Sequence, residues 1–291
     1  MARTIENAEY AKQQLEHSSV SDENIIPMAC DHSSFTSIRH FCDDLRKRLA
    51  VLNNGGIDVM CLNAAILMGA EAGPNFTEDG FEMTFQTNHL APFLIANLCF
   101  DLLNPGSRVL VTSSGLYAHS TFHNFVGITD PKTGKIRKHF ETIDGEAFHY
   151  KKSYSASKLC NVAFVVALNR RLQKKDSVAV CFTPGLITSS GLFRRQKGGW
   201  KETIRQTKAI GIDETKEWGG NVLAWMALSD EAGKRGGAFW RAPYGISQRG
   251  GSPEKDLFSA PISEEASDPL NQDKLWSLSA ELTGIPNDLI C

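Results

Sequence analysis

Apolar residues along this chain follow two rhythms, one recurring about every 3.6 positions and one forming short unbroken runs, and the two alternate. The first rhythm marks helices with one buried stripe, and the second marks strands covered on both faces. Residues 4–17, with Ile5, Ala8, Tyr10, Ala11 and Leu15, read as a helix. Residues 25–30 read as a short strand ending at Asp31. The stripe Ile38, Phe41, Leu45, Leu49 then marks a helix capped by Ser33 or Ser34. A buried strand over 57–62 stops at Asn63-Ala64-Ala65, followed by a long helix over 81–103, a strand over 108–112 and a helix over 154–172. The run 177–182 is a strand broken by Thr183-Pro184-Gly185, since proline and glycine end regular structure. A helix over 218–229 and a strand over 237–240 follow, and the turn-rich stretch 249–268 reads as a surface segment.

Strands alternating with long helices specify right-handed βαβ units. The predicted fold class is therefore α/β, a Rossmann-like doubly wound parallel sheet with helices on both faces. In such sheets functional groups collect beyond the carboxyl ends of the strands. Asp31, Asn63, Ser114 and Pro184-Gly185 all lie just after a strand.

Composition narrows the function classes. A length of 291 residues with 42% hydrophobic positions suits a globular domain, and a formal net charge of -2 argues against nucleic acid as a partner. The basic stretch 132–138 reads as a solvated loop. Seven cysteines show no CxxC or Cys/His spacing and several sit inside apolar runs, so most read as reduced core residues, in a reducing compartment, with no metal site. No apolar run approaches a membrane span and the start carries no signal-peptide pattern, so the chain reads as soluble, with peripheral membrane contact and self-association left open.

The chemistry centres on Tyr154-Ser155-Ala156-Ser157-Lys158. On a helix Tyr154 and Lys158 share one face a turn apart. An ammonium beside a phenol stabilises the phenolate, which should lower the tyrosine pKa toward neutrality and make it a proton donor for reduction of a carbonyl or polarised double bond. Small residues around the pair and Ser113-Ser114 at the end of a strand favour this over an ordinary surface tyrosine.

With Tyr-x-x-x-Lys, an upstream serine and Asn63-Ala64 after a strand, the chain resembles the short-chain dehydrogenase/reductase superfamily. Within it, Phe76-Thr77 with Gly80-Phe81-Glu82, Cys160 and Ser190-Gly191-Leu192-Phe193-Arg194 resemble the light-dependent protochlorophyllide oxidoreductase family. The resemblance implies one domain over 1–291, with about 186–260 covering the substrate, and NADPH as cofactor. It also implies a tetrapyrrole pigment as small-molecule substrate and a plastid location. Tyr154 would donate the proton, Lys158 would lower its pKa and hold the nicotinamide ribose, and Ser114, or Ser113 if the register slips, would orient substrate. Asn88 would kink its helix and support the lysine through water. Asp31 would contact adenine, while Asn63, Ala64, Pro184 and Gly185 would line the nucleotide. Thr188 would bond its amide or pyrophosphate, and Arg3 would pair with a 2'-phosphate. Cys160, Leu186, Trp240 and Tyr244 would lie on the substrate side.

Plainer readings stand beside these. Asn88 as a polar break in a helix, Asp31 as an N-cap, Pro184-Gly185 and Thr188 as turn chemistry, Arg3 as a mobile residue, Cys160 and half the aromatic group as core, and His149-Tyr150 as surface are each consistent with the residues alone.

Two departures from the family pattern matter. No Gly-x-x-x-Gly-x-Gly occurs anywhere in the sequence. The expectation is a sheet lacking the first strand, the glycine-rich turn and most of the second strand, with Met1 an internal methionine or the chain a shortened form; alternatively 25–30 pairs with 57–62. Second, Leu186 stands where the family has a cysteine, which keeps open a dark carbonyl or retinal-type reductase. A cofactor-free binding or scaffold protein is the rival of another class.

Overall fold

Five strands form one sheet in the order in which they occur: β1 (Ile57–Leu62), β2 (Leu103–Thr112), β3 (Val178–Phe182), β4 (Phe239–Arg241) and β5 (Phe258–Ala260). They are read from a computed structural model that describes residues 1–16, 25–52, 55–69, 75–122, 149–197 and 199–287. β1 to β4 run parallel, and β5 closes the edge antiparallel to β4. The helices are α1 (Ile5–Glu16), α2 (Phe35–Ala50), α3 (Met83–Phe85), α4 (Ala91–Leu98), α5 (Tyr150–Leu172), α6 (Trp200–Ala209), α7 (Lys216–Leu228), α8 (Asp230–Gly233), α9 (Pro253–Asp256), α10 (Glu264–Ser267) and α11 (Pro269–Thr283).

Successive strand residues point to opposite faces, and over β3 and residues 109–111 of β2 both faces are dry, whereas β1, expected as a buried strand, leaves Asp58 and Cys61 exposed at the edge. Val109, Val111, Ala179, Cys181 and Phe239 join one core with residues of α2, α4, α5 and α11. Leu110, Val180, Phe182 and Trp240 join another with Trp218, Val222 and Met226 of α7. The helix α5 lies against β3 and is buried without interruption from Ser153 to Val165. A helix covered all round must have close neighbours on every side, and Ser153, Ser155, Ala156 and Ser157 leave room for them. The doubly wound α/β reading is thus the observed fold. Among the described residues no helix is long and apolar enough to cross a membrane.

Several elements differ from the reading of the sequence. Residues 25–30 form no strand. They meet Ala2 in a single parallel bridge, with Ala2 N–H donating to Met28 O at 3.0 Å and Cys30 N–H to Ala2 O at 2.7 Å, and do not pair with β1. Pro27 has no N–H to donate, so a longer ladder there lacks a rung. The helix expected over 81–103 is broken into α3, a π-helical turn Gln86–Leu90 and α4, and it ends early, because β2 already begins at Leu103. The segment 249–268 holds α9, β5 and α10. The sequence reading also lacked α6 and α11. The latter begins at Asp268-Pro269, whose carboxylate accepts from Leu270 N–H, and stops at Gly284 with φ of 65°. Those caps were legible, but its buried face includes Gln272, Ser279 and Thr283, which blunts the apolar rhythm. The basic stretch 132–138 lies outside the described residues.

Candidate functional site

The site forms where β2 ends against α5. Ser113 N–H donates to Phe182 O at 2.7 Å, carrying the β2–β3 pairing one residue further. The chain then turns into a 3-10 segment Gly115–His119 capped by the Ser114 hydroxyl. This sharp exit decides which serine does what. Ser113 is buried and its hydroxyl donates to Lys158 O at 3.0 Å. The Ser114 hydroxyl is hydrogen-bonded to the Tyr154 phenol. Ser114, not Ser113, therefore faces the tyrosine.

Tyr154 and Lys158 lie on one face of α5, with Lys158 Nζ 5.6 Å from the tyrosine ring centroid. Both are buried, at 5% and 1% exposure. Lys158 Nζ donates to Thr112 O at 2.8 Å. Burial dominates the electrostatics. It pushes the Tyr154 phenol up to about 12, with the Ser114 hydrogen bond pulling the other way, and drives the Lys158 ammonium down to about 8. This corrects the expectation of an acidified phenol: removing water from a group that must carry charge outweighs its neighbours here. Tyr154 holds its proton firmly at neutral pH.

Asn88 sits in the π-helical turn, a device that re-aims a side chain out of the helix ladder. Its amide accepts from Ile66 N–H at 2.8 Å, and donates to Ile66 O and to Ser157 Oγ, each at 3.0 Å. Ser157 Oγ in turn donates to Tyr154 O at 2.7 Å. Asn88 thus fastens the strap after β1 to α5 between the tyrosine and the lysine. Its direct protein partners are Ile66 and Ser157 rather than Lys158.

The other residues singled out from sequence are placed as follows. Asn63 and Ala64 are exposed at the end of β1, and Asn63 Oδ1 accepts from Thr112 Oγ1 at 2.7 Å. Asp31 closes a local turn, accepting from Ser33 N–H at 2.9 Å and Ser33 Oγ at 2.7 Å, while Ser34 caps α2. Arg3 is exposed, and its charge is felt by Arg195. Gly185 has φ of 85°, and a Cβ there would lie 2.7 Å from Glu214 Cγ. Thr188 N–H donates to Asp213 Oδ1 at 2.9 Å. Leu186 is half-buried and bridges to Asp213. Tyr244 stands half exposed near the 3-10 turn after Ser114. Cys160 is fully buried in the core of α5, and Trp240 packs at 0% exposure on the far face of the sheet against Trp225. Neither Cys160 nor Trp240 opens toward Tyr154. His149 and Tyr150 stack near the surface.

Besides Asp213, two buried carboxylates were given no role by the sequence reading. Glu82 accepts from Thr84 and Phe85 N–H, both at 2.9 Å, and from Ser153 Oγ at 2.7 Å, beside Tyr154. Glu214 accepts from Ile246 and Ser247 N–H at 3.1 and 3.0 Å, tying that loop under the Gly185 turn. Glu82 belongs to Gly80-Phe81-Glu82 and begins a helix, so an N-cap signal was present; nothing local marks Glu214. A cleft of about 580 Å³ opens elsewhere, between α1 and α2, lined by Ile5, Met28, His40, Phe41 and Arg48 among others, and shares no residue with the Tyr154 group.

The fit of a nicotinamide dinucleotide divides in two. Lys158 is a buried ammonium with three N–H donors and one partner, Thr112 O, among the described residues, so it has donors left for ribose hydroxyls beside Tyr154. That end fits. For the pyrophosphate the described residues provide no glycine-rich turn, and the Asp31 carboxylate is already engaged by Ser33.

Known proteins match this chain as follows. The sequence pattern of the family described as short chain dehydrogenase matches residues 1–125. Protochlorophyllide reductase A, chloroplastic, of Oryza sativa subsp. japonica is 28% identical over 280 residues, covering 89% of this chain and 67% of that protein. Protochlorophyllide reductase B of the same plant is 30% identical over 273 residues, covering 88% and 63%. The chain thus spans about two thirds of the length of these relatives. A short chain dehydrogenase from Burkholderia cenocepacia, solved in complex with NADP, superposes with a TM-score of 0.55 at 16% identity, covering 82% of each chain. The fold is that of the short-chain dehydrogenases, and the sequence resembles the protochlorophyllide reductases.

Proposed function

We propose, from a short-chain dehydrogenase fold whose sequence resembles the protochlorophyllide reductases, that this chain is an NADPH-dependent oxidoreductase that reduces the ring D double bond of protochlorophyllide in the light. The observation that carries the reading is the Tyr154 phenol hydrogen-bonded to Ser114 on one side and flanked by the Lys158 ammonium on the other.

The reduced nicotinamide supplies the hydride when bound. Lys158 holds the ribose hydroxyls with its two remaining N–H donors, Asn63 and Ala64 line the nucleotide, and Arg3, close in charge to Arg195, meets the 2'-phosphate. Tyr154 keeps its proton until a strongly basic centre develops on the substrate, as a phenol near 12 must. A carbanion left by hydride addition to a carbon–carbon double bond is such a centre. The Ser114 hydroxyl and the Lys158 ammonium then stabilise the phenolate that remains. Asn88 keeps the helix in register by clamping Ser157. The chloroplast location of the relatives supports a plastid setting.

Leu186 favours a second reading, reduction of a carbonyl in the dark, because no thiol stands there to assist pigment protonation. A flash given to the chain with protochlorophyllide and NADPH separates the two. Formation of the red-shifted product absorbance supports the pigment reductase. Dark, NADPH-dependent turnover of carbonyl compounds without a flash response replaces it with the second reading.

A further inference from the structure

Among the described residues, the half-buried Arg241 guanidinium near the site has no carboxylate partner. Along β4, Phe239 and Arg241 share the face toward α5, where Phe239 meets the Tyr117 ring at 4.9 Å, while Trp240 points the other way. Arg241 therefore leaves the sheet at the carboxyl end of β4, two strands from Ser114, or about 10 Å at normal strand spacing. Its Cζ lies 5.3 Å from the centroid of the Tyr244 ring. Arg249 Nη2 donates to Tyr244 O at 2.9 Å and steadies that ring. The Tyr244 hydroxyl reaches within 3.2 Å of where a Cβ on Gly115 would stand, so the ring spans from Arg241 to the turn that carries Ser114.

Arg241 is half-buried, yet among the described residues it has no carboxylate and no hydrogen-bond acceptor. Arg46 and Arg170, more exposed, are paired with Asp101 and Asp273. Stacking on an aromatic face satisfies the charge in part but leaves the five N–H donors of the fixed fork without an acceptor among the described residues. A fork held by a rigid ring at the rim of a site fits a carboxylate.

We propose that Arg241, backed by Tyr244, binds the carboxylate of a planar substrate whose reacting bond lies at Tyr154 and Ser114. This deepens the reductase reading and rests on it for the location of the reacting bond. The site then selects an anionic, flat molecule whose carboxylate meets the Arg241 fork while its reacting bond lies at Tyr154. Gly115 contributes by leaving the space next to the Tyr244 hydroxyl open.

The test compares acid and ester forms of two probes on wild type, Arg241→Gln and Arg241→Lys. One pair is protochlorophyllide and its methyl ester, and the other is 4-carboxybenzaldehyde and its methyl ester, each with NADPH. Wild type should prefer each acid about 10- to 100-fold in Kd or KM, the worth of one charge-assisted pair. Arg241→Gln should bring the acid to the ester's level, raising KM more than it lowers kcat, and Arg241→Lys should recover part of the preference. If wild type does not distinguish acid from ester, or Arg241→Gln keeps the distinction, the proposal is overturned. If Arg241→Gln does not fold, the wild-type comparison and Arg241→Lys decide. Discrimination on the aldehyde pair with no pigment binding would sink the pigment reading and leave the Arg241 assignment standing. Failure to bind either acid overturns both.

Discussion

The phenol of Tyr154 and the hydroxyl of Ser114 are hydrogen-bonded, whereas Ser113, the adjacent residue, turns inward to Lys158 O at 3.0 Å. The two serines should therefore respond differently to loss of the hydroxyl. Ser114→Ala is expected to lower kcat by about 10- to 100-fold with little change in stability, since it removes a group that orients and stabilises the phenolate. Ser113→Ala is expected to cost about 1 kcal/mol of stability, the worth of one buried hydrogen bond. Turnover and urea melts on both variants check this, and Tyr154→Phe should lower kcat by about 100-fold or more.

Lys158 and Tyr154 make opposite contributions to stability against pH. The folded lysine titrates at about 8 against an ordinary 10.5, so between those values the unfolded chain binds more protons and stability rises with pH. The folded tyrosine titrates at about 12 against 10, so between those values the folded chain binds more protons and stability falls. Urea midpoints should climb from about pH 8 toward about pH 10 and then decline. In Lys158→Met the climb should vanish, with stability at neutral pH raised by on the order of 1 to 3 kcal/mol and turnover lost.

Glu82 holds three donors at once: two backbone N–H groups at the start of α3 and the Ser153 hydroxyl of α5. Glu82→Gln, which has one acceptor oxygen in place of two, should cost roughly 2 to 4 kcal/mol, and Ser153→Ala about 1. The double variant should cost less than the sum, because both act through one network. Equal additivity in chemical denaturation would dissolve that network.

Gly185 and Gly250 both have positive φ, 85° and 72°, but only Gly185 has a neighbour in the way. Gly250→Ala should cost about 1 kcal/mol from backbone strain alone. Gly185→Ala adds a contact of 2.7 Å with Glu214 Cγ and should cost about 1 to 3 kcal/mol more, while loosening Ile246 and Ser247. Thermal melts of the pair measure the difference.

Much of the architecture was legible along the chain. The unbroken apolar run of β3 announced a strand covered on both faces, β1 was legible as a strand although the exposed Asp58 interrupts it, and the four-residue spacing of Tyr154 and Lys158 announced a shared helix face, because periodicity is a local property of the backbone. α11 and β5 were not legible. The first hides polar side chains in its buried face, and the second is a three-residue edge that exists only because β4 lies beside it. Nor could residues 25–30 reveal that, among the described residues, their strand-like pairing would be a single bridge to Ala2.

At the site, the residue types and their order along the chain pointed to Tyr154, Lys158 and a serine. Packing decided which serine, and it reversed the direction of the tyrosine's shift. It also left Arg241 without an acceptor among the described residues, beside Tyr244. Spacing along a helix is set by the chain itself, whereas the cost of charging a buried group depends on how much water distant segments exclude, and only the assembled core sets that.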